Sequence, residues 1–94
     1  MSTPAKNEQY RFDLFVADNS LVSHKAMRNI NAILEERIRG SYRLDIVDIY
    51  EQPERTLAEQ VITIPTLIRK SPLPEVRITG DLSETEEVID VLML

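Results

Sequence analysis

Thr63-Ile64-Pro65-Thr66-Leu67-Ile68 places a proline at the mouth of a short apolar strand in the middle of the chain. Pro65 has no amide hydrogen for a sheet, so it must stand at the first residue of a strand or on an edge. It also biases Ile64 towards extended backbone. Two readings follow. Either the Ile64-Pro65 bond is cis, which costs an X-Pro pair only about 0.5–1 kcal/mol and turns the chain tightly, or a trans-proline opens an edge strand.

Working outward, Tyr10 to Ala17 alternates early and is apolar on both faces later, as expected of a strand running into the middle of a sheet. Asp18-Asn19-Ser20 supplies turn and N-cap chemistry. From Ser20 to Arg39, Ala26, Met27, Ile30, Ile33, Leu34 and Ile38 recur at spacings of three and four, marking a long amphipathic helix, and Gly40 suits its left-handed cap. Tyr42 to Tyr50 reads as a second strand, which makes the first three elements a parallel crossover. Pro53 opens a brief helix to about Val61.

Beyond Pro65 the sequence predicts strands over Thr66–Lys70 and Glu75–Thr79, joined by Ser71-Pro72-Leu73-Pro74 as an antiparallel hairpin. Ser83-Glu84-Thr85-Glu86 has the form of a capping box, with Val88, Ile89, Leu92 and Met93 as the inner face of a last helix. The order is βαβαββα: an α/β fold with a mixed four-stranded sheet and helices on both faces. The expected organisation is a flexible N-terminus over 1–9 and one domain over 10–94.

Composition excludes several functions. The chain has 94 residues and no cysteine, which removes disulfides, thiolate metal sites and Cys-x-x-Cys redox chemistry. Residues 1–80 hold eleven acidic and eleven basic side chains, so the net charge of -5 arises from Asp81, Glu84, Glu86, Glu87 and Asp90. A neutral body with an acidic last helix argues against nucleic acid as a partner. No apolar run has the length of a membrane span or signal sequence, so the expectation is a cytoplasmic protein. His24 is the only histidine, and the two glycines cannot build a phosphate loop. Ser20 or Ser23 beside His24 invites a nucleophile and base, but neighbours within one helical turn do not face each other and no third group presents itself. No catalytic residue, cofactor or metal is expected. Arg69, Lys70 and Arg77, with Lys25 and Arg28, are expected to put positive charge on the surface, for solvent or for docking a protein.

Tyr10–Ala17, Asn31-Ala-Ile-Leu-Glu35, Asp45-Ile-Val-Asp-Ile49, Ile64-Pro-Thr-Leu67, Pro72-Leu-Pro74 and Ile78-Thr-Gly-Asp-Leu-Ser83 together resemble, in order and spacing, the circadian clock protein KaiB family. The resemblance implies a thioredoxin-like domain in which a cis-proline, here Pro65, precedes the third strand. It also implies a non-enzymatic protein-binding module. Its partners would be a KaiC-like ATPase ring and, beyond it, KaiA or a SasA-like kinase; the free protein would be a monomer or weak homo-oligomer. By matching position, Lys25, Asn31 and Arg69 would face KaiC, and Arg43 and Asp45 would face KaiA or its competitors. The family is also metamorphic, so the resemblance carries a second fold: a tetrameric ground state with a rearranged C-terminal half.

The chain departs from the family pattern at Ala17-Asp-Asn-Ser-Leu-Val-Ser23, at Asp45 where a basic residue is common, and at Val91 and Met93 in place of Gly and Asp. Replacing a helix-interior Gly stabilises the helix by roughly 0.5–1 kcal/mol. Pro65, Ser83, Glu86, Val91 and Met93 are therefore expected to hold the chain in the thioredoxin-like form. Other readings are a stress-related KaiB paralogue, a SasA-like sensor domain, or a divergent thioredoxin-like transferase built on the Ser20–His24 loop.

Overall fold

In the computed structural model, which describes residues 9–94, seven elements follow one another: β1 (Tyr10–Val16), α1 (Leu21–Ile38), β2 (Tyr42–Asp48), α2 (Pro53–Ala58), β3 (Thr66–Ser71), β4 (Val76–Thr79) and α3 (Thr85–Leu92). The expected flexible segment 1–9 lies, apart from Gln9, outside the described residues. The sheet order is β2-β1-β3-β4. β1 pairs parallel with β2, from Tyr10 opposite Tyr42 to Val16 opposite Asp48, and antiparallel with β3, which pairs antiparallel with β4. The strand read as central is central. The Ile64-Pro65 peptide is cis.

The alternation of β1 divides the core. Phe12, Leu14 and Val16 pack with Ala26, Ile30, Ile33 and Leu34 of α1 and Val88 and Leu92 of α3. Phe15 packs on the other face with Val47 and Ile68, beside the chain that carries α2. Fully burying each such side chain stabilises the fold by about 1.5–3 kcal/mol, so the first cluster dominates. α2 buries none of its residues completely. It is held instead by charge.

Both short helices end on a left-handed residue that is not glycine. Gln60 has φ +56°, with its amide donating to Leu57 and that of Val61 to Thr56, which stops α2 three residues before the expected Val61. Met93 has φ +59°, with its amide donating to Asp90 and that of Leu94 to Ile89. Met93 is therefore a cap, 64 % exposed, rather than a residue of the helix interior or its inner face. Val91 is helical and half-buried.

The capping box does not form. α3 begins at Thr85 with Glu84 at the N-cap and no side-chain cap bond, so Ser83 and Glu86 do not pair as expected. Asp81 competes for the same groups: its Oδ1 accepts from the Ser83 amide at 3.0 Å, and the Ser83 hydroxyl bonds to the same carboxylate. Buried Leu82, at φ +61°, turns the chain between them. Glu86 remains exposed in the first turn of α3, where its charge favours the positive helix end.

Candidate partner-binding surface

The loop from β1 into α1 is a closed structural unit. The Ser20 hydroxyl caps α1 by accepting from the Ser23 amide at 3.2 Å. The Ser23 hydroxyl, buried, accepts from the Ala17 amide at 3.0 Å. His24 donates from Nε2 to the Asp18 carbonyl at 2.7 Å. Both hydroxyls and the imidazole are thus engaged with backbone, and no Ser–His pair is assembled. A cleft of about 130 Å³ lies elsewhere, between the end of β4 and α3, lined by Gly80, Asp81, Leu82, Glu84 and Glu87 among others.

Large apolar side chains stand exposed around this loop. Leu21 and Val22 open α1, Tyr50 follows β2, and Ile62, 94 % exposed, precedes β3; all four are exposed. The sheet register gathers them, because Val16 lies opposite Asp48 and Phe15 opposite Thr66, so the end of β1, the end of β2 and the start of β3 form one rim. Lys25 stands exposed one turn along α1 from Leu21. Asn29, in the next turn, donates to the Asp81 carbonyl at 2.8 Å and ties α1 to the loop before α3. The Asp81 carboxyl is held below its usual range by its bonds to Ser83, with Lys25 adding a favourable charge.

The other expected contact residues lie away from this rim. Asn31 is exposed, with its amide folded onto the Met27 carbonyl at 2.9 Å, and lies about 120° round α1 from Lys25. Arg43 and Asp45 lie on β2, on the sheet face opposite α1, 3.4 Å from each other.

Arg69 is a correction. Expected at the surface, it is 1 % exposed, because the β1–β3 register sets it opposite Phe12, on the α3 side. Its Nη1 donates to the Leu92 carbonyl at 2.5 Å and its Nη2 to the Pro74 carbonyl at 2.9 Å. The guanidinium thus neutralises the negative end of α3 from beneath.

A second ionic group was not anticipated. Asp13, buried in the central strand, meets Arg55 of α2 at 2.8 Å, and Arg55 also reaches Asp45 at 3.5 Å. At the far end of α2, Glu59 binds Lys70 at 2.7 Å and lies 3.8 Å from Arg77, while Lys70 also binds Glu75 at 2.8 Å. These hydrogen bonds, to Glu59 first and Glu75 second, raise the pKa of Lys70. The signal was present: an aspartate at an inward position of a central strand requires a cation, and α2 contains only one, Arg55.

The family model described as the KaiB domain matches residues 13–94. The chain belongs to the KaiB family. It is 41% identical over 76 residues to the circadian clock protein KaiB3 of Synechocystis sp., covering 81% of this chain and 74% of that protein. It is 35% identical over 85 residues to the circadian clock oscillator protein KaiB of Prochlorococcus marinus, covering 90% and 81%. Among solved structures it resembles the N-terminal domain of Synechococcus elongatus SasA, with a TM-score of 0.71 at 20% identity over 99% of this chain and 91% of that one. Mitochondrial thioredoxin 3 of Saccharomyces cerevisiae gives 0.74 at 15% identity over 96% and 83%. At these identities the two likenesses establish the fold, which is thioredoxin-like. The KaiB relatives are named as clock proteins. Among the described residues no helix is long and apolar enough to cross a membrane.

Proposed function

We propose that this protein is a non-catalytic clock or clock-related module of the cytoplasm that rests in the thioredoxin-like form and docks on a KaiC-type ATPase ring. The docking surface is the rim of Leu21, Val22, Tyr50 and Ile62, flanked by Lys25, with Asn31 further along α1. The observation that carries the reading is the coincidence of KaiB family membership with four large exposed apolar side chains at one sheet end. Exposed apolar groups with a charged flank are what a protein interface requires. In the same loop the Ser20 and Ser23 hydroxyls and the His24 imidazole are engaged with backbone groups rather than with one another. Asp45, acidic where the family is commonly basic, disfavours KaiA as the partner of β2.

The test is co-migration of the protein with a KaiC N-terminal ring domain on size-exclusion chromatography. Binding is expected, and Ile62→Asp or Lys25→Glu should weaken it with unchanged circular dichroism. A wild-type protein that keeps its fold and does not bind would remove KaiC as the partner.

A further inference from the structure

The cleft between the end of β4 and α3 has the chemistry of a side-chain receptor. Its volume of about 130 Å³ is room for several waters, at roughly 30 Å³ each in the liquid. Its floor is apolar: Ile78 is half-buried, and Leu82 and Val88 are buried. Its rim is acidic, with Asp81, Glu84 and Glu87. Glu84 and Glu87 stand three residues apart at the start of α3, which makes their side chains neighbours, and neither meets a cation among the described residues. Asp81 differs, because Ser83 engages its carboxylate and Lys25 adds a favourable charge. The uncompensated charge of the cleft is therefore that of the glutamate pair.

An apolar floor beneath two carboxylates fits a side chain with an apolar stem and a cationic tip. Of the two such side chains, arginine fits better. A guanidinium presents its donors in a planar fork that bridges paired carboxylates, and it is more weakly hydrated than an ammonium, so it gives up less on entering a half-apolar cleft. An anion is disfavoured, because Glu86 and Glu87 already meet the positive end of α3. The cleft also adjoins the rim of Leu21, Val22, Tyr50 and Ile62. The Gly80 amide donates to the Pro65 carbonyl at 3.1 Å, which sets the cleft beside the start of β3, at the sheet end that carries the rim. Lys25 flanks both, since its charge reaches Asp81. Arginine beside apolar contacts is a common composition for the centre of a protein interface.

We propose that the cleft receives an arginine side chain of the protein that docks on the rim, with the guanidinium between Glu84 and Glu87 and the methylenes over Ile78, Leu82 and Val88. The arginine's owner rests on the docking reading; the chemistry of the cleft does not.

Heteronuclear NMR titration of the full chain with Nα-acetyl-arginine N-methylamide tests the cleft by itself, with the citrulline and lysine analogues as the uncharged isostere and the other cation. Arginine is expected to give saturable shifts confined to the surroundings of Gly80, Leu82, Glu84 and Glu87, and citrulline none. Glu84→Gln with Glu87→Gln should weaken arginine binding by roughly tenfold or more. Glu86→Gln with Asp90→Asn removes the same charge from outside the cleft and should leave binding within about twofold. No saturable shift, shifts spread evenly over the acidic surface, equal losses in the two double variants, or citrulline or lysine binding as well as arginine would each overturn the proposal. Calorimetric titration with a KaiC N-terminal ring domain then tests the owner. The Glu84→Gln, Glu87→Gln protein should bind the ring roughly tenfold more weakly than the wild type, with unchanged circular dichroism. Equal ring binding by the two proteins overturns the inference and leaves docking intact, whereas a wild type that takes arginine into the cleft but ignores the ring overturns the docking reading and this owner with it.

Discussion

Arg69 Nη1 donates to the Leu92 carbonyl at 2.5 Å across 23 residues of sequence, joining the third strand to the last turn of the C-terminal helix. With its second bond to Pro74, this buried cation pins together three parts of the C-terminal half: β3, the proline hairpin and α3. Its Nε has no partner among the described residues, so the two carbonyl bonds carry the compensation for its burial.

Arg69→Met keeps the apolar stem and removes both donors. Leaving two acceptors unpaired should cost roughly 2–4 kcal/mol, read as a lower urea midpoint. Amide exchange in α3 should accelerate more than in α1, because Leu92 loses its anchor.

Asp13 and Arg55 pair a buried carboxylate with a half-buried cation at 2.8 Å. Arg55→Met strands a buried carboxylate and should destabilise the protein by about 2–3 kcal/mol at neutral pH. Adding Asp13→Asn should recover most of that loss, a coupling that a double-mutant cycle measures directly.

Two neighbouring positions at the C-terminal end of α3 make opposite predictions for glycine. Val91→Gly enters a helix interior and should destabilise by about 1 kcal/mol or more. Met93→Gly enters a left-handed position that disfavours side chains, and should stabilise by about 1 kcal/mol. Thermal unfolding of the two variants distinguishes them by sign.

Tyr42 donates to Glu35 Oε2 at 2.6 Å, and burial, followed by this bond and the carboxylate charge, pushes its pKa from 10.0 to about 12. A phenol whose folded pKa is raised contributes stability that is whole below pH 10 and is lost as pH rises towards 12. Ultraviolet phenolate titration should show one tyrosine ionising last, and Tyr42→Phe should remove that step and flatten the alkaline loss of stability.

The fold was legible because its signals were local and periodic: the α1 stripe, the β1 run apolar on both faces, and Pro65 at the start of β3. The C-terminal helix was legible as a helix but not in its capping, because Asp81 could claim Ser83 as readily as Ser83 could cap the helix. Arg69 was misplaced for a different reason. A basic residue on a strand gives no sign of which face it occupies until the β1–β3 register is known, and here the register turns it towards α3. Lys25 and Asn31 stand exposed on α1, but nothing in their spacing marked the apolar rim, which only the parallel and antiparallel pairings of β1 assemble.

Heteronuclear NMR of the isolated protein, repeated with a KaiC N-terminal ring domain, tests the central claim most directly. The account predicts helical chemical shifts over 85–92 in the free protein, with ring addition broadening or shifting Leu21, Val22, Lys25, Tyr50 and Ile62. Strand shifts over 86–92 would contradict the resting thioredoxin-like form, and a helical spectrum that ignores the ring would contradict KaiC as the partner.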